Sequence, residues 1–345
     1  MVRRRTSRKK NGSGAAAFLL ALFLTLLLAA GAAAWLLLTP YGPQNETFVE
    51  IAQGSGTVRI GQQLESAGVV RSRYAFDLMR WFKRGTLRAG EYRFVDPATL
   101  GEVYARIARG DVYTRTVTIP EGANVFDIGA RLQQAGLVTA QEFVDTQQSQ
   151  TALVADFDPG ASSLEGYLFP DTYHFARKAT PAQICAMMVR RFRVVAQQLG
   201  LKEDVHRVVT MASLVERETA IDAERPLVAS VFENRLARKM PLMTDPSVIY
   251  GLELRGQWQG VIYQSDLKRD TPYNTYLRAG LPPGPVANPG LRSLRAAMRP
   301  AQTTYLYFVA AGVNAQGHSL FSSTIEEHEH NVAGYRHAVK KAGAQ

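Results

Sequence analysis

Residues 15–38, AAAFLLALFLTLLLAAGAAAWLLL, form an uncharged apolar run of 24 residues. Crossing ~30 Å of hydrocarbon takes about 20 such residues at a helical rise of 1.5 Å each. No other stretch so restricts how this chain can fold, because a buried helix of a small domain does not need it. The preceding MVRRRTSRKKNGSG carries six basic residues and no acid. The positive-inside rule keeps that tail cytoplasmic, places Trp35 at the far interface, and puts everything after Leu38 on the other side. The alternative is a cleaved signal peptide, since Ala32, Ala33 and Ala34 resemble a small-residue cleavage site. The apolar run continues through Leu36–Leu38 and exceeds a signal core, which favours an uncleaved single-pass anchor. The expected layout is a basic tail at 1–14, a membrane helix at 15–38 and a body outside the cytoplasm.

With 345 residues the chain has room for two or three domains. Its formal net charge of +10 falls to +4 once the six basic tail residues are set aside. That is too weak to argue for nucleic acid, though it suits an anionic polymer or a membrane surface. Cys185 is the only cysteine, so neither an internal disulfide nor a cysteine-based metal site is available.

After a turn-rich linker at 39–48, two segments resemble each other at an offset of 68. Ile60, Gly61, Leu64, Ala67, Gly68 and Val70 of the first match Ile128, Gly129, Leu132, Ala135, Gly136 and Val138 of the second. Each reads as a short strand, a turn and a small helix ended by glycine. GEYRF at 90–94 reads as a strand. Thr99–Arg109 reads as a helix, with Thr99 and Glu102 forming a capping box and Gly110 as its stop. Two copies of a small α+β module fit this pattern, either as polymer-binding units or as spacers. Gln141–Gln150 is polar and reads as a helix. SLEGYLFPDTYHF at 163–175 combines aromatics with Glu165 and Asp171, a composition that suits a sugar site or a buried strand pair. Pro181–Leu199 has the apolar stripe of an amphipathic helix, with Cys185 as a small buried residue.

Asp204–Thr219 lacks Gly and Pro and reads as a helix. At 100° per residue Glu218 shares a face with Met211, Leu214 and Val215, while Glu216 points about 160° away. Apolar surroundings disfavour an ionised carboxyl and hold its proton to higher pH, which suits a group that protonates a glycosidic oxygen. An acid buried against Arg207, Arg217 or Arg225 is the structural alternative. Arg225–Lys239 reads as a further helix. TDPSVIYG (244–251) and YNTYLRAGLPPGPVANPG (273–290) read as loops beside it, and YLYFVA (305–310) as a strand opening a hairpin through GVNAQGHSLFS. HEH could hold a metal, but no second ligand pair at helical spacing supports a site, and IEEHEHNVAGYRHAV reads as an exposed C-terminal helix.

Taken together, EGYLFPDTY (165–173), MASLVERET (211–219), VASVFENRL (228–236), TDPSVIYG, YNTY (273–276), GLPPGPVANPG (280–290) and YLYFVA resemble, in order, the endolytic murein transglycosylases of the MltG/YceG-like type. The resemblance implies an α+β fold with a LysM-like module at 49–115 and a catalytic domain at 116–345. It implies Glu218 as the catalytic acid, and a bacterial inner membrane as the location. Glu165, Tyr173, Asp245, Asn274, Thr275 and Tyr276 are the expected substrate contacts. The implied reaction cuts the β-1,4 bond from N-acetylmuramic acid to N-acetylglucosamine within peptidoglycan glycan strands without water, leaving 1,6-anhydro ends and ending nascent strands. No metal or cofactor is implied, and penicillin-binding synthases are the implied partners. Two rival readings remain. A muramidase would need a second carboxylate, for which Asp171 and Asp245 are the candidates. A membrane-anchored scaffold that binds glycan would need no catalytic acid.

Overall fold

The computed structural model describes residues 12–312 and 317–342. Most of the basic tail and residues 313–316, within the expected hairpin, therefore lie outside the described residues. The chain divides into two compact units after Thr114. Helices and short strands are mixed in an α+β arrangement, with three two-stranded sheets among the described residues.

The first unit opens with α1 (Gly12–Leu38), whose Ala16–Leu38 stretch has a mean hydropathy of 2.4 and no buried residue. By length and composition it can cross a membrane. Strand β1 (Thr47–Ile51) is followed by α2 (Thr57–Ser66), α3 (Arg73–Lys83), β2 (Gly90–Phe94) and α4 (Leu100–Arg109). β1 and β2 pair antiparallel, with Val49 opposite Tyr92 and Thr47 opposite Phe94. Their inward side chains join Ile60, Leu64, Phe76, Val103 and Ile107 in one core. Thr99 and Glu102 close the capping box at the start of α4, and Gly110 ends that helix at φ 77°.

The second unit repeats the pattern. β3 (Thr114–Thr118), α5 (Val125–Gln134), α6 (Ala140–Ser149) and β4 (Thr172–Ala176) follow in the same β-α-α-β order. Thr116 faces His174 and Thr118 faces Thr172, so β3 and β4 run antiparallel. The matched residues do matched work. Gly68 and Gly136 leave their helices with φ of 67° and 65°. Val69 N bonds to Leu64 O, as Leu137 N does to Leu132 O. A Cβ on Gly61 would lie 3.3 Å from Arg73 O, and one on Gly129 would lie 3.0 Å from Ala140 O, so both glycines seat the next helix.

The remainder is α7 (Pro181–Leu199), α8 (Val205–Glu218), α9 (Arg225–Ala237), α10 (Asp245–Glu253), α11 (Leu291–Met298), β5 (Tyr307–Ala310), β6 (Ser319–Ser322) and α12 (Ile325–Ala342). Every residue of α8 from Val209 to Val215 is buried, with α9, α10 and α11 packed around it. An apolar helix enclosed in this way presents a side chain to water only near its ends. TDPSVIYG, expected to be a loop, is the start of α10. Pro246 lies in the first turn, where its missing N–H would have had no helical partner. SLEGYLFPDTYHF takes the buried reading: residues 164–170 are enclosed and β4 follows.

Gly166 fixes where this buried segment meets α8. It sits at φ 87°, and a Cβ there would lie 2.5 Å from Pro285 Cγ and 2.6 Å from Val209 Cγ1. Gly166→Ala is expected to cost about 2–4 kcal/mol of stability, measured by urea unfolding. A neutral substitution would contradict this packing.

Candidate active site

The two glutamates of α8 leave it in different directions. Glu216 accepts Arg225 Nη1 at 2.8 Å and Gly290 N at 2.9 Å. It is the acid buried against an arginine, and it ties α8 to α9 and to the start of α11. Glu218, the last residue of α8, lies half-buried on the wall of a cleft of about 440 Å³. That size is ordinary for a small-ligand site.

Four elements build the rest of the cleft. From α9 come Phe232 and Arg235, one helical turn apart. The segment into α10 contributes Leu242, Met243, Thr244 and Asp245, and the 273–290 loop contributes Tyr276. β5 and α12 close it with Tyr307, Phe308, Ile325 and His328.

Burial is the main cause holding the Glu218 carboxyl up at about 7. The neighbouring Asp245 adds to the rise, and Arg235 and Arg217 oppose it. The C-terminal end of α8 carries partial negative charge, which likewise disfavours an ionised Glu218. Asp245 opens α10, the helix end where negative charge is favoured. The Tyr276 hydroxyl donates to Asp245 Oδ1 at 2.6 Å. Arg235 spends its hydrogen bonds on backbone carbonyls, Nε on Leu306 O at 2.6 Å and Nη1 on Leu242 O at 2.8 Å. Its charge therefore acts on the cleft from a fixed position, without a direct carboxylate contact among the described residues.

Of the residues expected at a substrate site, the fold brings Glu218, Asp245 and Tyr276 together. The other four are buried beneath the cleft or away from it, and each has a supporting partner. Glu165 accepts Val125 N at 2.9 Å and Asn288 Nδ2 at 2.7 Å. Its carboxyl is also bonded to Tyr250, and burial raises it to about 8. Asn274 is fully buried, gives its amide to Leu267 O and Arg269 O, and takes Tyr276 N on its own oxygen. It therefore aims Tyr276. Thr275 accepts Thr244 N at 3.0 Å and meets Ser247 at 2.8 Å, which sets the entry to α10 and with it Asp245. Tyr173 is buried, stacks on Phe175 at 5.4 Å and donates to Phe169 O. Of the two candidate second carboxylates, Asp245 lines the cleft, whereas Asp171 pairs with Arg191 at 2.6 Å outside it.

Sequence reasoning passed over Arg235 and read His328 as part of an exposed helix, whereas it lines the cleft. The spacing of Phe232 and Arg235 was the available signal for the first. His328 stacks on Tyr307 with ring centroids 5.0 Å apart, and its Nδ1 is buried without a hydrogen-bond partner. Burial and Arg235 lower its pKa, which favours the neutral ring. Ile325 and His328, three residues apart, were the signal there: this helix has one face turned inward.

Two titrations follow from this geometry. Resolved by NMR of labelled glutamate, Glu218 is expected to lose its proton near pH 7. Asp245→Asn should lower that midpoint and Arg235→Met should raise it. A midpoint near the ordinary value of about 4.3 would contradict the assigned environment. Glu165 binds its proton more tightly folded than unfolded, so its contribution to stability is complete below about 4.5 and is lost as pH rises toward about 8. Thermal melts between those limits should show Tm falling with pH, and Glu165→Gln should reduce the slope. An unchanged slope would contradict the burial of a protonated carboxyl.

Known proteins are similar to this chain in sequence and in fold. A protein of Bacillus subtilis (strain 168) named endolytic murein transglycosylase is 33% identical over 315 residues, covering 85% of this chain and 86% of that one. A protein of the same name from Streptococcus pneumoniae R6 is 31% identical over 320 residues, and the match spans 57% of its length. The 2.6 Å crystal structure of a YceG-like protein from Listeria monocytogenes superposes with a TM-score of 0.54 at 31% identity, covering 83% of this chain and 99% of that one. The sequence model of the YceG-like family matches residues 49–334, which takes in the cleft, the second β-α-α-β module and all of the first beyond Phe48, and the chain belongs to the YceG-like family.

Proposed function

We propose that this protein is an endolytic murein transglycosylase, as its relatives are named, and that Glu218 is its catalytic acid. The observation that carries the reading is a carboxyl held up at about 7 on the wall of an open cleft. A protonated Glu218 gives its proton to the glycosidic oxygen as the bond between N-acetylmuramic acid and N-acetylglucosamine breaks. The same carboxylate then takes the proton of the muramic C6 hydroxyl, which attacks C1 and closes the 1,6-anhydro ring. One group serves twice, and no water is consumed. The tethered hydroxyl brings the effective concentration of an intramolecular nucleophile. Asp245, held by Tyr276, lies where its negative charge opposes the positive charge growing at C1 and keeps Glu218 protonated. Tyr307, Phe308 and Met243 offer apolar surface to sugar faces.

The same reading has the first module as LysM-like and glycan-binding, which its small β-α-α-β form supports. It also has α1 as a single-pass anchor in a bacterial inner membrane, with the N-terminus cytoplasmic. The cut then falls on nascent strands near the membrane, beside penicillin-binding synthases. One observation favours a second reading. Asp245 is a carboxylate in the cleft of Glu218, as a hydrolytic muramidase requires.

Digestion of peptidoglycan by the full-length protein, followed by mass spectrometry, tests the proposal. Products should end in 1,6-anhydro-muramic acid, and Glu218→Gln should lower turnover by about 10²–10⁴-fold. Activity should fall as pH rises through about 7, because the acid loses its proton there. Reducing ends would favour the muramidase. Unchanged turnover in Glu218→Gln would remove Glu218 from the chemistry.

A further inference from the structure

Helix α3 carries an apolar face that the rest of its unit leaves uncovered. Phe76 is fully buried, with Ala75 and Met79 packed against the same core. Beside that inner face, Tyr74, Leu78, Trp81 and Phe82 are 68%, 51%, 63% and 68% exposed. Spaced at i, i+4, i+7 and i+8, they fall within an arc of about 100°. Trp81 and Phe82 meet edge to face at 4.9 Å, extending one continuous aromatic surface. Contiguous exposed apolar surface of this kind marks a binding face.

We propose that this face lies in the headgroup region of an anionic lipid bilayer, the same bilayer that α1 spans. The inference rests on reading α1 as a membrane helix. Position is the first argument. α3 begins beside the end of α1: Leu36 and Thr39 share one small surface pocket with Arg71, Ser72 and Ala75. Leu37 packs on the core that holds Phe76. Arg71 fastens the junction, donating to Thr39 O at 3.2 Å and Pro40 O at 3.3 Å while its guanidinium lies 4.2 Å over the Trp35 ring. Trp35 is 54% exposed at the end of the apolar helix, where tryptophan favours the membrane interface. Eleven residues of helix extend about 16 Å, so all of α3 stays close to that interface.

Charge is the second argument. Between residues 71 and 88 there are six basic residues and one acid. Among the described residues Arg80, Lys83 and Arg84 form no ion pair. Aromatic and leucine side chains on one face, with arginine and lysine on the other, are the composition of a helix that lies flat in an interface. Basic groups near the surface are drawn to anionic headgroups. One helix spanning the bilayer and one lying on it fix the orientation of the first unit relative to the membrane.

The chain has three tryptophans, Trp35, Trp81 and Trp258, which makes the test direct. Full-length protein carrying Trp35→Phe and Trp258→Phe retains only Trp81. A second version, carrying Trp81→Phe and Trp258→Phe, retains only Trp35. Both are reconstituted into phosphatidylglycerol-containing vesicles, with and without lipids brominated high on the acyl chain. The expected result is loss of emission from both tryptophans in brominated vesicles, with Arg80→Gln and Lys83→Gln relieving the quenching of Trp81 alone. Quenching of Trp35 without Trp81 would overturn the proposal and leave the anchor standing. Quenching of neither would overturn both. A blue-shifted Trp81 that bromine does not reach would put a protein on this face and also overturn it.

Discussion

The burial of one carboxyl at the end of an enclosed helix governs the site. Had α8 been a surface helix, Glu218 would be ionised at neutral pH and unable to donate a proton. Its seven consecutive buried residues leave the helix no solvated face, so the side chain at its end emerges from an apolar, low-dielectric surround. The helix end adds partial negative charge. Asp245 supplies a fixed negative neighbour, and Arg235 limits how far the rise goes. The outcome is an acid tuned to about 7, which is where a proton donor at neutral pH is most effective.

Much of the remaining structure holds that arrangement in register. Asn288 bonds Ala123 O, Leu168 N and the carboxyl of Glu165, so three distant segments meet at one amide. Ser213 of α8 accepts Val286 N at 3.0 Å, which pins the proline-rich loop to that helix. Asn274 and Thr275 carry the loop onward to Tyr276 and Asp245. Their importance lies in positioning: each of these four side chains has its hydrogen-bond partners, and breaking one bond would leave another group unpaired in the core.

Local signals made much of the fold legible. The capping box at Thr99, the apolar stripe of α7 and the helix-ending glycines at 68 and 136 depend on neighbours within a few residues. The angular separation of Glu216 and Glu218 is likewise a property of one helix. The start of α10 misled because Thr-Asp-Pro opens turns and helices alike, and only packing chooses. Glu165, Asn274 and Thr275 resemble binding residues in composition. Whether such a group faces sugar or a backbone amide depends on contacts such as Glu165 with Asn288, 123 residues apart. Arg235 and His328 enter the cleft from α9 and α12, and no short window of sequence joins them to Glu218.

The central claim is that the half-buried Glu218 carries the protons while the glycosyl group passes to the sugar's own hydroxyl without the participation of water. Digestion of glycan strands in ¹⁸O-labelled water, followed by mass spectrometry of the new chain ends, tests it most directly. The account predicts ends that contain no heavy oxygen. Incorporation of one heavy oxygen at each new muramic acid end would contradict it and make Asp245 the partner of Glu218 in hydrolysis.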